Sequence, residues 1–158
     1  MSDQKSAKIK ICIVTSSLGK GGAQKSSSTL SIVLDSLGYE IYIVSILDYI
    51  DYPYKGSLLN LGALKKEDDS FFGKLKRFYI FFNFIKTHDF DFIIDSRSRP
   101  TTFKQFLINK LIYHNQKVIY IVHSFLISNY LPKNKFIARS LYKSASKFTA
   151  VSEAIKSE

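Results

Sequence analysis

The sequence predicts an α/β fold in which a mostly parallel sheet carries helices on both faces. Three observations support that reading. Continuous apolar runs such as Ile9 to Thr15 and Lys117 to His123 have the composition of strands covered on both sides. Segments with apolar residues at three- and four-residue steps lie between the runs. The connections are short, which favours right-handed parallel crossovers. At 158 residues and 46% hydrophobic content the chain reads as one domain, 1–158. A domain of this size buries roughly 70% of the surface it exposes when unfolded, so it needs no disulfide or metal staple. Disordered, collagen-like and disulfide-scaffold classes are excluded.

Ile9 to Thr15 opens the fold as a strand. From Gly22 to Leu37 the residues Ala23, Leu30, Val33, Leu34 and Leu37 recur at helical spacing, and Gly38 supplies a left-handed stop. Glu40 to Leu47, rich in Ile, Val and Tyr, is the second strand. Leu58 to Leu64 is expected to be a short strand and Lys65 to Ser70 a charged turn. Phe71 to Thr87 is a helix candidate, followed by the strand Phe90 to Asp95 and the polar loop Ser96-Arg97-Ser98-Arg99-Pro100. Helical spacing resumes over Thr101 to Tyr113. Lys117 to His123 is a buried strand, Lys135 to Tyr142 a helix, and Lys147 to Val151 the last strand. There is no internal repeat.

Twenty-three Lys and Arg against 13 Asp and Glu give a formal charge of +10. The excess is mostly lysine, which suits general attraction to anionic surfaces better than bidentate reading of bases, so no nucleic-acid partner is expected. Cys12 has no partner cysteine and sits in an apolar run, the setting of a small buried hydrophobe in a reducing compartment. No stretch reaches the roughly 20 apolar residues of a membrane span, and the polar start Met1 to Lys8 precedes no signal-peptide core. A soluble, cytoplasmic protein is expected.

In a parallel α/β sheet, ligands bind beyond the carboxyl ends of the strands. The loop Ser16 to Ser26 places Gly21 and Gly22 at the start of a helix, where free N–H groups and the helix dipole attract a diphosphate. Its Gly19-x-x-x-x-Gln24-Lys25-Ser26 string differs from a phosphate-binding P-loop only at the second glycine, and Asp95 imitates the carboxylate that associates with magnesium. A glutamine Cβ at that glycine position obstructs the curl round the β-phosphate.

Several segments in order and spacing resemble the amino-terminal half of two-domain GT-B glycosyltransferases, specifically the retaining family 4. These are Ile9 to Ser17, Gly21-Gly22-Ala23-Gln24, Leu30 to Val44, Asp89 to Ile94, and Phe148-Thr149-Ala150-Val151-Ser152-Glu153-Ala154-Ile155-Lys156, which is similar to the family's AVSEAVK segment. The resemblance implies a Rossmann-like domain that binds the acceptor, with a nucleotide-sugar donor (UDP- or GDP-linked) in the cleft and no metal or further cofactor. It implies that Gly21 and Gly22 lie near the donor phosphates, with Gln24 lining the same cleft or capping the helix. His123 matches the position where a histidine faces the reacting sugar. A neutral imidazole there can hydrogen-bond a sugar hydroxyl or leaving-group oxygen, and a charged one would help offset the developing diphosphate charge. Arg97 and Arg99, with Ser124 nearby, are candidate acceptor contacts, although the arginines could equally pair with Asp95 or solvent. Ser152 is a good helix N-cap. His88 and His114 read as surface residues. The donor-binding half, with its paired glutamates, is expected to be missing, leaving a truncated domain that is inactive by itself. The acceptor expected is a glycolipid or polysaccharide.

The helix candidate 71–87 is apolar around more than one face. Leu75, Phe78, Phe82 and Ile85 form an ordinary core stripe, which leaves Phe71, Tyr79, Phe81 and Phe84 over. With Lys74, Lys76 and Arg77 these suit an interfacial helix on an anionic membrane, as in similar transferases that glycosylate lipid-linked acceptors. A core helix under neighbouring loops is the other reading. Beside the transferase stand two further classes: a nucleotide-binding ATPase with a degenerate P-loop, and a non-catalytic anion- or membrane-binding module.

Overall fold

The structure, a computed structural model, describes residues 8–124 and 126–156, without the Lys156 side chain. Apart from Lys8, the polar start lies outside the described residues. Among the described residues six strands form one sheet: β1 (Lys10–Thr15), β2 (Glu40–Ser45), β3 (Ser57–Asn60), β4 (Phe92–Asp95), β5 (Val118–Val122) and β6 (Lys147–Ala150). Their order is β3-β2-β1-β4-β5-β6, and every neighbouring pair is parallel. β1 is central, with Ile13 opposite Ile43 on one side and Ile94 on the other.

Alternation along the strands divides the core. Ile11, Ile13, Ile41, Ile43 and Ile94 pack with Leu30 and Leu34 of α1 (Gly22–Ser36) on one face. Cys12, Val14, Val44, Ile93, Val118 and Tyr120 face the other way. There they meet α2 (Leu61–Glu67), α3 (Phe71–His88), the turn Ile108–Ile112 that continues α4 (Thr102–Leu107), and α5 (Lys135–Leu141). That division follows from handedness. The chain steps one way across the sheet from β1 to β3 and the other way from β3 to β6, so right-handed crossovers place α1 opposite the rest. A short α6 (Glu153–Lys156) closes the described chain, and Ser152 Oγ accepts from Ile155 N.

Several expectations need correction. The third strand ends at Asn60, and the first three residues of the charged turn, Lys65 to Glu67, belong to α2. The Asn60 side chain accepts from Ala63 N at 3.1 Å, capping a helix the apolar run did not reveal. On α1 the buried residues are Ser27, Ser28 and Ser31, while Val33 and Leu37 are exposed. Small hydroxyl side chains let the helix approach the sheet closely, and each finds an acceptor: Ser27 and Ser31 in carbonyls of α1 itself, Ala23 O and Ser28 O, and Ser28 in Pro53 O outside the helix. On α3 the inner stripe is Gly73, Phe81 and Ile85, and Leu75 is exposed. Gly73 fits against the Asp68 backbone and Arg77 pairs with Asp69, which fixes the rotation of the helix. His88 is half-buried, stacked on Phe90, rather than a surface residue.

Gly62 in α2 lies so close to Leu47 and Asp48 that an added Cβ would strike their backbone. Gly62→Ala is expected to lower stability in urea by about 1–3 kcal/mol, the usual cost of overpacking.

Candidate functional site

The carboxyl ends of β1 and β4 lie where the strand order reverses, the switch point at which loops diverge. The β1–α1 loop there is firmly held. Leu18 is fully buried, its N–H donates to Tyr49 O at 2.9 Å, and its carbonyl accepts from Tyr52 N at 2.8 Å. Gly19 faces Tyr49 so closely that a Cβ would lie 2.7 Å from the tyrosine Cβ. Gly21 follows with φ 120°, a conformation that favours glycine, and Gly22 opens α1 with nothing within 4 Å of where a Cβ would point. The first helical bond runs from Lys25 N to Gly21 O. The N–H groups of Gly22, Ala23 and Gln24 carry no side-chain cap. Gln24 is half-buried over Gly21 and makes no hydrogen bond among the described residues, so it is not the cap. Ser27 Oγ, one turn further on, lies 2.6 Å from Ser96 Oγ and ties this helix to the β4 loop.

The P-loop alternative does not fit this geometry. In a P-loop the stretch up to the second glycine curls round the phosphate before the helix begins, whereas here α1 starts at Gly22, two residues before Gln24 at that position. Lys25 Nζ instead lies 5.7 Å from the Tyr52 ring centroid.

Asp95, at the end of β4, has no solvent access, and both arginines of its loop turn inward to it. Arg97 Nη2 donates to Asp95 Oδ2 at 2.6 Å, and its Nε and backbone N both donate to Oδ1 at 3.0 Å. Tyr113 OH adds a fourth bond at 3.1 Å. Arg99 Nη1 lies 3.6 Å from Oδ1 and donates to Arg97 O at 2.8 Å. Its guanidinium sits over the rings of Tyr120, Tyr130 and Tyr142, 4.8, 5.3 and 5.9 Å from their centroids. Burial alone would push the Asp95 carboxyl up. The charges of Arg97 and Arg99 and the Arg97 hydrogen bonds outweigh it and leave the group below its ordinary value. Burial likewise disfavours the Arg97 cation, but the Asp95 carboxylate more than offsets this and raises it. Burial, then the Asp95 charge, raises the Cys12 thiol, which stays protonated and inert.

These arginines therefore do not offer an open clamp to an acceptor, as the first reading of the loop expected. The alternative pairing with Asp95 is the one present. Asp95 is equally unavailable to a magnesium ion. The sequence reading missed the polar residues that complete the cluster. Gln105 Oε1 accepts from Arg97 Nη2, and Asn109 bridges Gln105 Nε2 (2.6 Å), Tyr120 OH (2.9 Å) and Leu141 O (2.7 Å). Their signal was two amides four residues apart on an otherwise apolar helix face.

His123 follows β5 directly, half-buried, with its Nε2 shielded from water and unpartnered among the described residues. Burial, and then the nearby Arg99 charge, lowers its pKa, so the ring is neutral at neutral pH. The Ser124 hydroxyl accepts from Leu126 N at 3.2 Å and keeps its proton free to donate. β4 lies between β1 and β5, so the strands that lead into the glycine turn and into His123 run two strand spacings, about 10 Å, apart and end on one edge. They do not touch.

Of the residues expected to face a membrane, Lys74 and Lys76 are exposed. Phe81 is 4% exposed in the core, and the Arg77 guanidinium is engaged by Asp69 and the Asp68 carbonyl, so neither is free to meet lipid. The exposed apolar residues of α3 are Phe71, Phe72, Leu75 and Tyr79. Between α3 and α4 runs a groove of about 560 Å³ with an apolar floor that includes Leu47, Phe78 and Leu107, and with Lys65, Lys74 and Lys104 among its walls. Among the described residues no three His, Cys, Asp or Glu side chains are grouped to hold a metal ion, and no helix is long and apolar enough to cross a membrane.

No family model matches the chain, and no curated protein does. Among solved structures, the crystal structure of a glycosyltransferase from Rickettsia africae ESF-5 superposes with a TM-score of 0.55 at 20% identity, over 95% of this chain and 38% of that one. The described chain thus has the α/β fold of a glycosyltransferase domain, with an all-parallel six-stranded sheet. It spans about two fifths of that enzyme's length.

Asp95→Ala leaves two buried cations without their carboxylate and is expected to cost about 3–5 kcal/mol in denaturant unfolding. For His123 the folded-state pKa lies below the ordinary 6.5. The unfolded chain therefore binds the proton more tightly, and the His123 contribution to stability is complete above about pH 6.5 and declines as pH falls from there through the folded-state pKa. The NMR titration midpoint of His123 is expected below 6.5, and His123→Gln is expected to flatten that part of the stability profile.

Proposed function

We propose that this chain is the acceptor-side domain of a retaining, family 4 type glycosyltransferase, which moves a sugar from a UDP- or GDP-linked donor to a glycolipid or polysaccharide acceptor. One observation supports the reading above all. The uncapped start of α1, with Gly22 open to approach, lies at the switch point of a parallel sheet, and the shielded, unpartnered His123 nitrogen follows β5 on the same carboxyl edge.

Each residue then has a physical task. The N–H groups at Gly22 and Ala23 hydrogen-bond the donor diphosphate, and the α1 dipole stabilises its charge. The positive φ of Gly21 sets the angle at which those groups point outward. The clamped Leu18 turn keeps them in place before the donor arrives, so less ordering is required on binding. Neutral His123 hydrogen-bonds a sugar hydroxyl or the leaving-group oxygen, and Ser124 offers a second donor. Arg97 and Arg99 hold the β4 loop and the surroundings of His123 from within. The amphipathic groove between α3 and α4 suits an acceptor with apolar and anionic parts. The donor-binding half belongs to the rest of such an enzyme, so the 158-residue chain alone is expected to bind but not to turn over.

An NMR titration of the chain with UDP and with GDP tests this. The amides of Gly21 to Gln24 and the His123 ring are expected to shift. Gly22→Leu, whose side chain would extend into open space, is expected to weaken binding by about tenfold or more by blocking charged hydrogen bonds. Shifts confined to other surfaces, or binding unchanged by Gly22→Leu, would contradict the assignment.

A further inference from the structure

The charge of this protein is segregated. Residues 96–152 contain ten Lys and Arg and not one Asp or Glu, while the rest of the chain carries thirteen of each sign, so the whole formal +10 lies in that segment. Arg97 and Arg99 are buried against Asp95. The other eight, seven lysines and Arg139, are all exposed, and none is in a salt bridge among the described residues.

The same segment builds an open apolar groove of about 560 Å³ between α4 and α5, lined by Phe103, Phe106, Phe136 and Ile137. Phe103 is 68% exposed and Phe136 82%. Contiguous exposed aromatics of this kind mark an interaction surface rather than ordinary surface composition. In parallel crossovers the helices run against the strands, so the starts of α4 and α5, where these residues lie, sit at the carboxyl edge of the sheet. Lys104, Lys133, Lys135 and Arg139 stand among them in sequence and are exposed.

We propose that the α4–α5 edge docks on an anionic lipid bilayer, Phe103, Phe106, Phe136 and Ile137 entering the interface while the surrounding lysines hold the headgroups. Charge complementarity selects this occupant. Lysine dominates the exposed cations, and its compact hydrated charge suits diffuse attraction to an anionic surface. A nucleic-acid duplex, whose bases are stacked on one another, would satisfy the lysines but leave the phenylalanines in water. A bilayer matches both at once. The surface differs from the α3 segment singled out from sequence. It also stands apart from the sugar-transfer reading, because docking requires no sugar chemistry.

Co-sedimentation of the 158-residue chain with phosphatidylcholine vesicles, with and without phosphatidylglycerol, tests the proposal. Binding is expected only to the anionic vesicles and is expected to fall with added salt. The exposed double variant Phe103→Ser/Phe136→Ser, its fold checked by circular dichroism, should bind about tenfold or more weakly. Lys135→Glu/Arg139→Glu should do likewise. A Phe72→Ser/Lys76→Glu variant on α3 should retain most of the binding. Three outcomes would overturn the assignment: no binding to anionic vesicles, undiminished binding by both α4–α5 variants, or a concentration-dependent dimer that Phe136→Ser dissolves, which would make a second copy the occupant.

Discussion

A carboxylate without solvent and two arginines without solvent meet at the end of β4, and the carboxyl edge of the sheet is built around that meeting. Either charge alone would be ruinous at this depth. Together, with Tyr113, Gln105 and Asn109 adding further bonds, they fasten β4, the loop after it, the helical turn 105–112 and the end of α5 at Leu141 into one unit. Arg99 N donates to Asn129 O, so the segment after β5 is drawn in as well. The position of His123 and the depth of its ring follow from this packing.

The edge so fixed has two characters. At the switch point it offers backbone donors on a rigid turn, and after β5 a neutral imidazole, groups whose chemistry suits hydrogen bonds to a diphosphate and a sugar. Beside it, the starts of α4 and α5 offer phenylalanines and unpaired lysines, groups that recognise a surface rather than a molecule. An acceptor embedded in or attached to a membrane would bring the two together.

The fold was legible because parallel sheets announce themselves. Ile11 to Val14, Ile41 to Val44 and Val118 to Val122 are apolar without alternation, and that pattern needs cover on both faces. Details set by close approach were not legible. Nothing in the spacing of α1 says that Ser27, Ser28 and Ser31 are its inner face, because apolar periodicity points to Val33 and Leu37. Gly73 rotates α3 by allowing contact with Asp68, so Phe81 is buried and Leu75 is not. At the site, the glycines and His123 could be named from their places at strand ends. Arg97 and Arg99 looked like ligands because arginine in a polar loop usually is exposed, and only tertiary packing shows that Asp95 claims them. The exposure of Phe103 and Phe136 was not legible either, since periodicity alone cannot tell which stripe a neighbouring helix covers.

The central claim is that the β1–α1 turn and His123 flank one sugar-transfer site. A crystal structure of the chain grown with a nucleoside diphosphate, UDP or GDP, would test it most directly. The account predicts the diphosphate against the N–H groups of Gly22 and Ala23, with the His123 imidazole turned toward the same edge. A nucleotide held through Lys25, or bound away from the carboxyl ends of β1 and β5, would contradict it.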